Sequence, residues 1–190
     1  MRADARANRQ DLLAAAAHLL QEQGAGMSLR AVAQEAGLGV GTLYRHFPTR
    51  RDLLTAVLEQ VVVRIRRILT RFIAGVGDPE ERWRRLASEL AEVNLTSMLA
   101  ALDSVTARDL PQHDLFDEAE EEILDLADRA VAMAMAAEAG LVGEDLTARH
   151  YFMGLLTLTR PLTSDVLDRF PEQNDWLLDV YLRGLRPTAG

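Results

Sequence analysis

Apolar residues recur along most of the chain at i, i+3, i+4 and i+7, which is the spacing of one face of a helix. Near the start, this repeat is formed by Leu12, Leu13, Ala16, Leu19 and Leu20. No segment shows the apolar and polar alternation of a half-buried strand. The pattern therefore predicts an all-α protein.

Capping and helix-breaking residues divide the first part of the chain into three helices. Gly24 ends the first helix. Ser28 is a suitable N-cap for a short second helix, which Gly37 ends in a left-handed conformation. The third helix is predicted over about 40–47, and Pro48 stops it because proline cannot continue a helix.

A long fourth helix is predicted to begin after a capping box of Thr49 and Asp52 and to continue to about Gly75. Asp78 and Pro79 then form an N-cap followed by a proline at the first helical position. The helix behind them is predicted to reach about residue 105. Three further helices are predicted at about 114–139, 145–165 and 172–183, with breaks at Pro111, Gly140 and Pro161.

Charge is distributed unevenly along this chain of 190 residues, whose net charge is −8. Residues 1–72 hold eleven arginines and six acidic residues, a net charge of +5. The remaining residues hold ten arginines and 23 acidic residues, a net charge of −13. Phosphate binding depends on the local basic surface and not on the sum over the chain. The asymmetry predicts a basic part suited to phosphate binding, followed by an acidic remainder.

Composition and motifs narrow the functional class further. The chain has no cysteine, which excludes disulfides and thiolate chemistry. No apolar run reaches the roughly 18 residues of a membrane helix, and no signal peptide is recognisable at the start. We therefore expect a cytoplasmic protein with no membrane association. No G-x-S-x-G, H-E-x-x-H or phosphate-loop motif occurs, so we predict no enzyme activity, no cofactor and no metal site.

The stretch from Ser28 to Leu54, SLRAVAQEAGLGVGTLYRHFPTRRDLL, has the features of a helix-turn-helix. Two short helices are joined by a tight turn that contains glycine, and the second is too short to be stable alone. Buried anchors hold such a helix while its other face enters a major groove. The predicted anchors are Leu38, Leu43 and Phe47, and the predicted face is Val40, Gly41, Thr42, Tyr44, Arg45 and His46.

The string AGLGVGTLYRHFPTRRDLL resembles the signature of the TetR family of bacterial transcriptional regulators. The resemblance implies an N-terminal three-helix helix-turn-helix DNA-binding domain at 1–50. It implies a larger helical bundle at 51–190 for effector binding and dimerisation. The leading interpretation is a homodimeric repressor that binds a palindromic operator in double-stranded DNA and is released by a small-molecule effector.

The resemblance also implies roles for individual residues of the helix-turn-helix. Ser28 corresponds to a phosphate contact, and Arg30 to a position that can reach a base edge. Thr42, Tyr44 and His46 match positions that hold the DNA backbone and adjoining bases. Tyr44 or His46 alone would more often be a packing residue, but their joint occurrence favours the role in DNA binding.

Five further positions complete the implied DNA-binding set. Gly41 matches a small-residue position where the recognition helix approaches the DNA. Val40 and Arg45 occupy variable positions that set the operator sequence. Thr49 and Arg50 begin the fourth helix, whose N-terminus is suited to anions, and Arg50 replaces the usual lysine as a phosphate contact.

The glycines of the turn permit one competing interpretation. Gly37, Gly39 and Gly41 imitate part of a dinucleotide-binding loop, but no strand precedes them and their spacing differs from that motif. We therefore reject it. Gly39 also stands where serine is common in the family, so the third helix is predicted to lack a side-chain N-cap.

The remainder of the chain contains apolar helix faces of the kind that the family commonly arranges around an effector pocket. Asn94, Thr157 and Arg160 are polar groups on otherwise apolar helices, so they are candidates for orienting a ligand. The methionine and aromatic residues suit a hydrophobic small molecule, although ordinary core packing competes at each position. The candidate pocket residues are Trp83, Leu86, Leu90, Asn94, Met98, Phe152, Met153, Leu156 and Arg160.

The last two predicted helices, 145–165 and 172–183, are rich in apolar residues and are predicted to hold a homodimer that reads two half-sites. Two other functions stay open. One is an activator or nucleoid-associated protein with no inducer. The other is a helical small-molecule-binding protein with a vestigial DNA-binding part, against which Arg45, Arg50 and the intact pair of Tyr44 and His46 argue.

Overall fold

The computed structural model describes residues 2–23, 26–93, 114–137, 139–158 and 169–187. The regular structure in these ranges is helical, with no strand, which confirms the predicted all-α fold. The helices are α1 (Arg2–Gln23), α2 (Leu29–Glu35), α3 (Val40–His46), α4 (Arg50–Ala74), α5 (Pro79–Ala91), α6 (Asp114–Met135), α7 (Ala148–Leu158) and α8 (Gln173–Gly184).

Helix α2 is capped at both ends, and its C-terminal cap forms the turn to α3. Ser28 Oγ accepts the N–H of Ala31 at 3.0 Å and so caps α2. Gly37 has φ +67°, the left-handed conformation that glycine adopts without steric cost. The N–H of Leu38 bonds the carbonyl of Ala33 at 2.9 Å, which completes a Schellman motif. Both predicted caps of α2 are confirmed.

The start of α4 is held by a reciprocal capping box. The backbone N–H of Thr49 donates to Asp52 Oδ2 at 2.9 Å, and the N–H of Asp52 donates to Thr49 Oγ1 at 3.1 Å. These two bonds satisfy donors that the first turn of a helix cannot satisfy by itself. Asp78 similarly accepts the N–H of Glu81 at 2.8 Å at the start of α5, with Pro79 at the first helical position.

Two predicted helix bounds are wrong. α5 ends at Ala91 rather than near residue 105, because its last turn tightens and the N–H of Val93 bonds the carbonyl of Leu90. α7 begins at Ala148 rather than at Asp145, because Thr147 Oγ1 accepts the N–H of His150 at 3.2 Å and provides the cap. Residues 94–113, where the longer helix was expected, lie outside the described ranges.

The chain forms two compact units, whose boundary falls inside α4 after Val61. The head unit comprises described residues 2–61, and the body unit comprises described residues 62–93, 114–137, 139–158 and 169–187. The predicted division at residue 50 into a DNA-binding and an effector domain stays a prediction.

Each unit has its own apolar core. In the head unit, α1 contacts both α2 and α3, which also contact each other. In the body unit, α7 contacts α5, α6 and α8. No helix in the described ranges is both long and apolar enough to span a bilayer. The fully buried leucines of the head unit include Leu12, Leu13, Leu43 and Leu53.

Candidate nucleic-acid interface and effector site

The recognition helix α3 is anchored by one side and exposed on the other. Leu43 is completely buried and Phe47 is 2% exposed, whereas Leu38 is half-buried. Each fully buried apolar side chain of this size contributes about 1.5–3 kcal/mol relative to exposure. A seven-residue helix is not stable alone in water, so these contacts hold α3 in place.

The outer face of α3 leaves large side chains in solvent. Val40 is 37% exposed and Tyr44 is 50% exposed, and their spacing of four residues puts them on one face of the helix. Gly41 and Arg45 are also exposed, which extends this face. Exposed apolar side chains beside an arginine form a surface suited to a partner that offers both apolar and charged groups.

Gly41 has no packing reason to be glycine. A Cβ built there meets no other atom within 4 Å, so a larger residue would fit the head unit itself. Gly39 begins α3 with no side-chain cap bond, as predicted. Thr42 and His46 are half-buried and lie between the anchored and exposed faces. Any requirement for a small residue at position 41 must therefore come from a partner of α3.

Ser28 and Arg30 lie at the start of α2, and both side chains are exposed. Ser28 Oγ uses an acceptor site in capping α2, while a hydroxyl also has a donor hydrogen. This arrangement is compatible with the predicted phosphate contact.

Thr49 has the capping role that the sequence predicted, whereas Arg50 has a structural role that the sequence analysis missed. The Thr49 hydroxyl donates to Asp52 Oδ2 at 2.7 Å, within the capping box. Arg50 Nη1 donates to the carbonyl of Met27 at 2.5 Å, and Met27 is completely buried. Arg50 therefore ties the start of α4 to the segment before α2. Their predicted contacts with DNA stay predictions.

Two arginines outside the predicted set lie close to the C-terminal end of α3. The guanidinium of Arg9 lies 5.1 Å from the centre of the Phe47 ring, a cation–π contact. Arg9 and Arg51 line an open cleft of about 480 Å³ together with His46. The sequence gives only a weak indication that Arg9 lies near α3. Arg9 precedes the buried Leu13 of the apolar repeat in α1 by one helical turn.

The body unit contains a cluster of stacked aromatic rings. The rings of Trp83 and Tyr151 are stacked with centroids 4.6 Å apart, and Phe72 lies 5.7 Å from Trp83. Tyr181 stacks on Tyr151 at 6.2 Å and donates its hydroxyl to the Tyr151 carbonyl at 2.8 Å. Gly154 makes room for this arrangement, since a Cβ there would lie 2.4 Å from the Tyr181 hydroxyl oxygen.

Two buried donors of this cluster have no hydrogen-bond partner among the described residues, namely Trp83 Nε1 and the Tyr151 hydroxyl. A buried polar group left without a partner costs about 1–3 kcal/mol. Burial, and secondarily Tyr181, raises the pKa of Tyr151 well above its usual value, and burial raises the pKa of Tyr181 to about 12. The apolar core therefore contains polar groups that a bound molecule could satisfy.

The predicted effector residues are in different environments. Trp83, Leu86 and Leu90 are buried, while Met153 is 56% exposed. Phe152 and Leu156 are half-buried, and the Phe152 ring meets that of Tyr151 edge to face at 5.9 Å. Asn94, Met98 and Arg160 lie outside the described residues. The structure thus brings Trp83 and Phe152 to the same aromatic ring.

Tyr151 is the central residue that the sequence analysis missed. It lies in the helix predicted at 145–165, which was assigned to dimerisation as a whole, and its side chain is only 1% exposed. The apolar repeat of α7 marks Tyr151 and Leu155 as one face, but it does not indicate which helix that face meets.

A cleft of about 420 Å³ reaches Trp83 from the surface of the body unit. A smaller cavity of about 90 Å³ lies beside Leu86 and Phe72. The larger cleft has the volume of a small-molecule site, which commonly falls between about 300 and 1,000 Å³. Its lining residues are Glu80, Trp83, Arg84, Leu141, Leu182, Arg183 and Arg186.

Comparison with known proteins agrees with this architecture. The family model for bacterial regulatory proteins of the tetR family matches residues 12–57. An HTH-type transcriptional regulator from Staphylococcus aureus (strain USA300) is 43% identical over 61 residues, which cover 32% of this chain and 33% of that protein. The chain thus matches about a third of the length of this curated relative.

Two solved structures cover nearly the whole chain. A TetR transcriptional regulator from Streptomyces coelicolor is 32% identical, with a TM-score of 0.69, covering 95% of this chain and 99% of that one. The TetR-like regulator LfrR from Mycobacterium smegmatis, solved in complex with proflavine, is 18% identical, with a TM-score of 0.65, covering 97% and 99%. At 18% identity, the similarity to LfrR shows only that the two chains share a fold.

The capped α2, the tight turn and the exposed face of α3 define a helix-turn-helix DNA-binding regulator. The whole-length relative and the matched family signature are specific for one group of such proteins. The chain belongs to the TetR family of transcriptional regulators.

Proposed function

We propose that this regulator is a repressor that binds a palindromic operator as a homodimer and is released by a small-molecule effector. The observation that carries the proposal is the outer face of α3, where Val40 and Tyr44 remain exposed although Leu43 between them is completely buried. This face has the size and chemistry of an element that enters a major groove. We expect the protein to act in the cytoplasm.

Arg45 is proposed to read sequence. Its side chain is exposed and makes no ion pair with another described residue. An arginine on a recognition helix can make two hydrogen bonds to a guanine edge, and an apolar side chain such as Val40 can contact a thymine methyl group. Gly41, between the two, would let the helix backbone approach the bases.

The remaining predicted DNA contacts are proposed to hold the backbone. Phosphate contacts position a protein without reading sequence, and hydroxyl, arginine and histidine groups are suited to them. Arg30 is the exception, because its exposed side chain on α2 can reach a base edge. The proposed backbone set is Ser28, Thr42, Tyr44, His46, Thr49 and Arg50.

Dimerisation is proposed through the last helices, as predicted for 145–165 and 172–183. Exposed apolar side chains occur on α7 and α8, where Met153 and Trp176 are each 56% exposed and Val180 is 41% exposed. Large apolar side chains left in solvent on these two helices support an interaction surface there. Sedimentation of dilute protein should show twice the 21.1 kDa mass of one chain, and a species of one chain alone would refute the dimer.

The effector is proposed to bind in the body unit near Trp83. Trp83 Nε1 and the Tyr151 hydroxyl, which have no partner in the described part of the chain, support this location, because a ligand acceptor would satisfy them. LfrR, which shares the fold, was solved with proflavine bound. Trp83 contacts Phe72 of α4, and α4 continues without a break to Arg50 in the head unit. A ligand that prefers one position of Trp83 would therefore shift the population of DNA-competent dimers.

Genomic footprinting with the purified protein tests the DNA-binding part of the proposal. We expect protection of a palindromic site whose half-sites are about 34 Å or more apart. Reporter expression from that site, with and without the gene for the regulator, tests the sign of regulation. Higher expression without the regulator supports a repressor, and lower expression would show an activator. Protection with no sequence preference would contradict the proposal that the protein binds a specific operator.

A further inference from the structure

The cleft of about 420 Å³ in the body unit has an apolar floor and a charged rim. Trp83, Leu141 and Leu182 form the apolar part, and Trp83 is fixed by its stacking on Tyr151. The rest of the lining is charged, and three of those four side chains are arginines: Glu80, Arg84, Arg183 and Arg186.

The rim has more positive than negative charge. Arg84 and Arg183 both contact one carboxylate, that of Asp179, with Arg183 Nη2 at 3.3 Å from Oδ2. Arg186 pairs with Glu80. Three guanidinium groups therefore face two carboxylates, in a part of the chain (residues 73–190) whose net charge is −13. A net positive site on an acidic segment is selective for anions.

From this geometry we propose that the cleft binds an organic acid, a small molecule with a flat apolar body and one carboxylate. The apolar body would lie on Trp83, Leu141 and Leu182, and the carboxylate would accept hydrogen bonds from Arg84 and Arg183. Guanidinium groups bind carboxylates through two parallel bonds. The two arginines are 54% and 63% exposed, so their existing ion pairs are weak and their side chains can turn toward a ligand.

Binding in the cleft is independent of DNA, but the consequence for regulation rests on the proposed function. The floor residue Trp83 lies on α5 and its ring contacts Phe72 of α4. Arg82, beside Trp83, also donates to the Phe72 carbonyl. A molecule seated on Trp83 would act on α4 through these contacts, which makes an organic acid the class of effector that the structure favours.

Calorimetric titration of the full chain with 1-naphthoate, and with neutral 1-naphthamide as its isostere, tests the proposal. We expect the acid to bind at least about tenfold more tightly than the amide, since only the carboxylate carries the negative charge that forms ion pairs with the guanidinium groups. The double variant R84Q/R183Q should lose this preference and bind both compounds alike. Equal affinity of the unaltered protein for the two compounds would overturn the proposal.

A matched control separates a local site from a general effect of charge. Arg129 and Arg149 are exposed on α6 and α7 and do not line the cleft. The variant R129Q/R149Q changes the net charge by the same amount as R84Q/R183Q and should keep the preference for the acid. If both double variants weaken naphthoate binding equally, no specific site exists.

A variant with increased affinity excludes misfolding as an explanation. Asp179→Asn removes the carboxylate that competes for Arg84 and Arg183, so naphthoate affinity should rise several-fold while naphthamide affinity is unchanged. Unaltered or lower naphthoate affinity contradicts the assigned geometry.

Operator affinity is measured separately by footprinting with and without naphthoate. Failure of operator binding refutes the proposed function and leaves the titration valid, whereas failure of the titration refutes the cleft and leaves operator binding valid.

Discussion

In the head unit, Thr49 and Asp52 satisfy each other's backbone N–H groups across the start of α4. In the body unit, Trp83 Nε1 and the Tyr151 hydroxyl are buried without a partner among the described residues. The head unit thus uses its polar groups to define helix ends and leaves its proposed binding face outside. The body unit keeps polar groups inside an aromatic core, where a bound molecule or water could satisfy them.

The two units also differ in how far apart in the sequence their hydrogen-bonded residues lie. The capping bonds of α2 and α4 join residues three positions apart. The bond from the Tyr181 hydroxyl to the Tyr151 carbonyl joins residues 30 positions apart, and that between Arg186 and Glu80 joins residues 106 positions apart. The helix ends beside the proposed DNA-binding face are therefore set by near neighbours in the chain, while the proposed effector site depends on contacts across the folded body unit.

The largest expected effect is on the anchor of the recognition helix. Phe47→Ala removes a 2% exposed ring, and truncating a buried phenylalanine costs about 3–5 kcal/mol. We expect loss of operator binding and of amide-exchange protection in the head unit, with protection in the body unit retained. Tyr44→Ala, on the exposed face of the same helix, is the control and should change the unfolding free energy by no more than about 0.5 kcal/mol. Equal destabilisation by the two changes would contradict the assignment of the faces.

The next effect separates sequence reading from backbone contact. Arg45→Ala should weaken operator binding by about 1–3 kcal/mol and random DNA much less, because a base contact is lost. Arg50→Ala should weaken binding to both DNAs about equally. It should also reduce the slope of the logarithm of the binding constant against the logarithm of the salt concentration by about one per subunit. Because Arg50 also bonds the Met27 carbonyl, its variant should be less stable as well. The measurement is a set of titrations on both duplexes at several salt concentrations. Loss of sequence preference in Arg50→Ala alone would reverse the two roles.

Removing the Thr49 hydroxyl tests how much the capping box stabilises the head unit. Thr49→Ala should lower the unfolding free energy by about 1 kcal/mol, since the N–H of Asp52 loses its acceptor. Urea unfolding at several concentrations measures this change. Thr55→Ala is the control, because it removes the same hydroxyl group from a position inside α4 that has no capping role. A loss no larger than that of the control would show that the cap contributes little.

Removing the Tyr151 hydroxyl should have the opposite sign. Tyr151→Phe deletes a buried group without a partner, so the unfolding free energy should stay constant or rise by up to about 1 kcal/mol. Because burial raises the pKa of Tyr151, the unfolded chain loses the hydroxyl proton at a lower pH than the folded protein, so the unfolding free energy falls as the pH rises above 10. The variant should therefore lose less stability than the unaltered protein in urea unfolding above pH 10. A marked loss at neutral pH would indicate an unseen partner of the hydroxyl.

The helices and their ends near the helix-turn-helix could be predicted from the sequence. Ser28, Gly37 and the pair of Thr49 and Asp52 act on neighbours within a few residues, so residue type and spacing are sufficient. The end of α5 could not be predicted in this way. Its apolar repeat continues beyond Ala91, but the backbone tightens there, which periodicity does not detect.

The sequence by itself determined the helical class, the anchored and exposed faces of α3 and the family, because these depend on local spacing and on a short motif. Only the tertiary structure decided that Tyr151 is buried against Trp83 and that Arg84 and Arg183 share Asp179. An apolar repeat identifies which side of a helix is buried, but not which other helix covers it. Contacts between residues far apart in the chain are selected by packing of the whole unit.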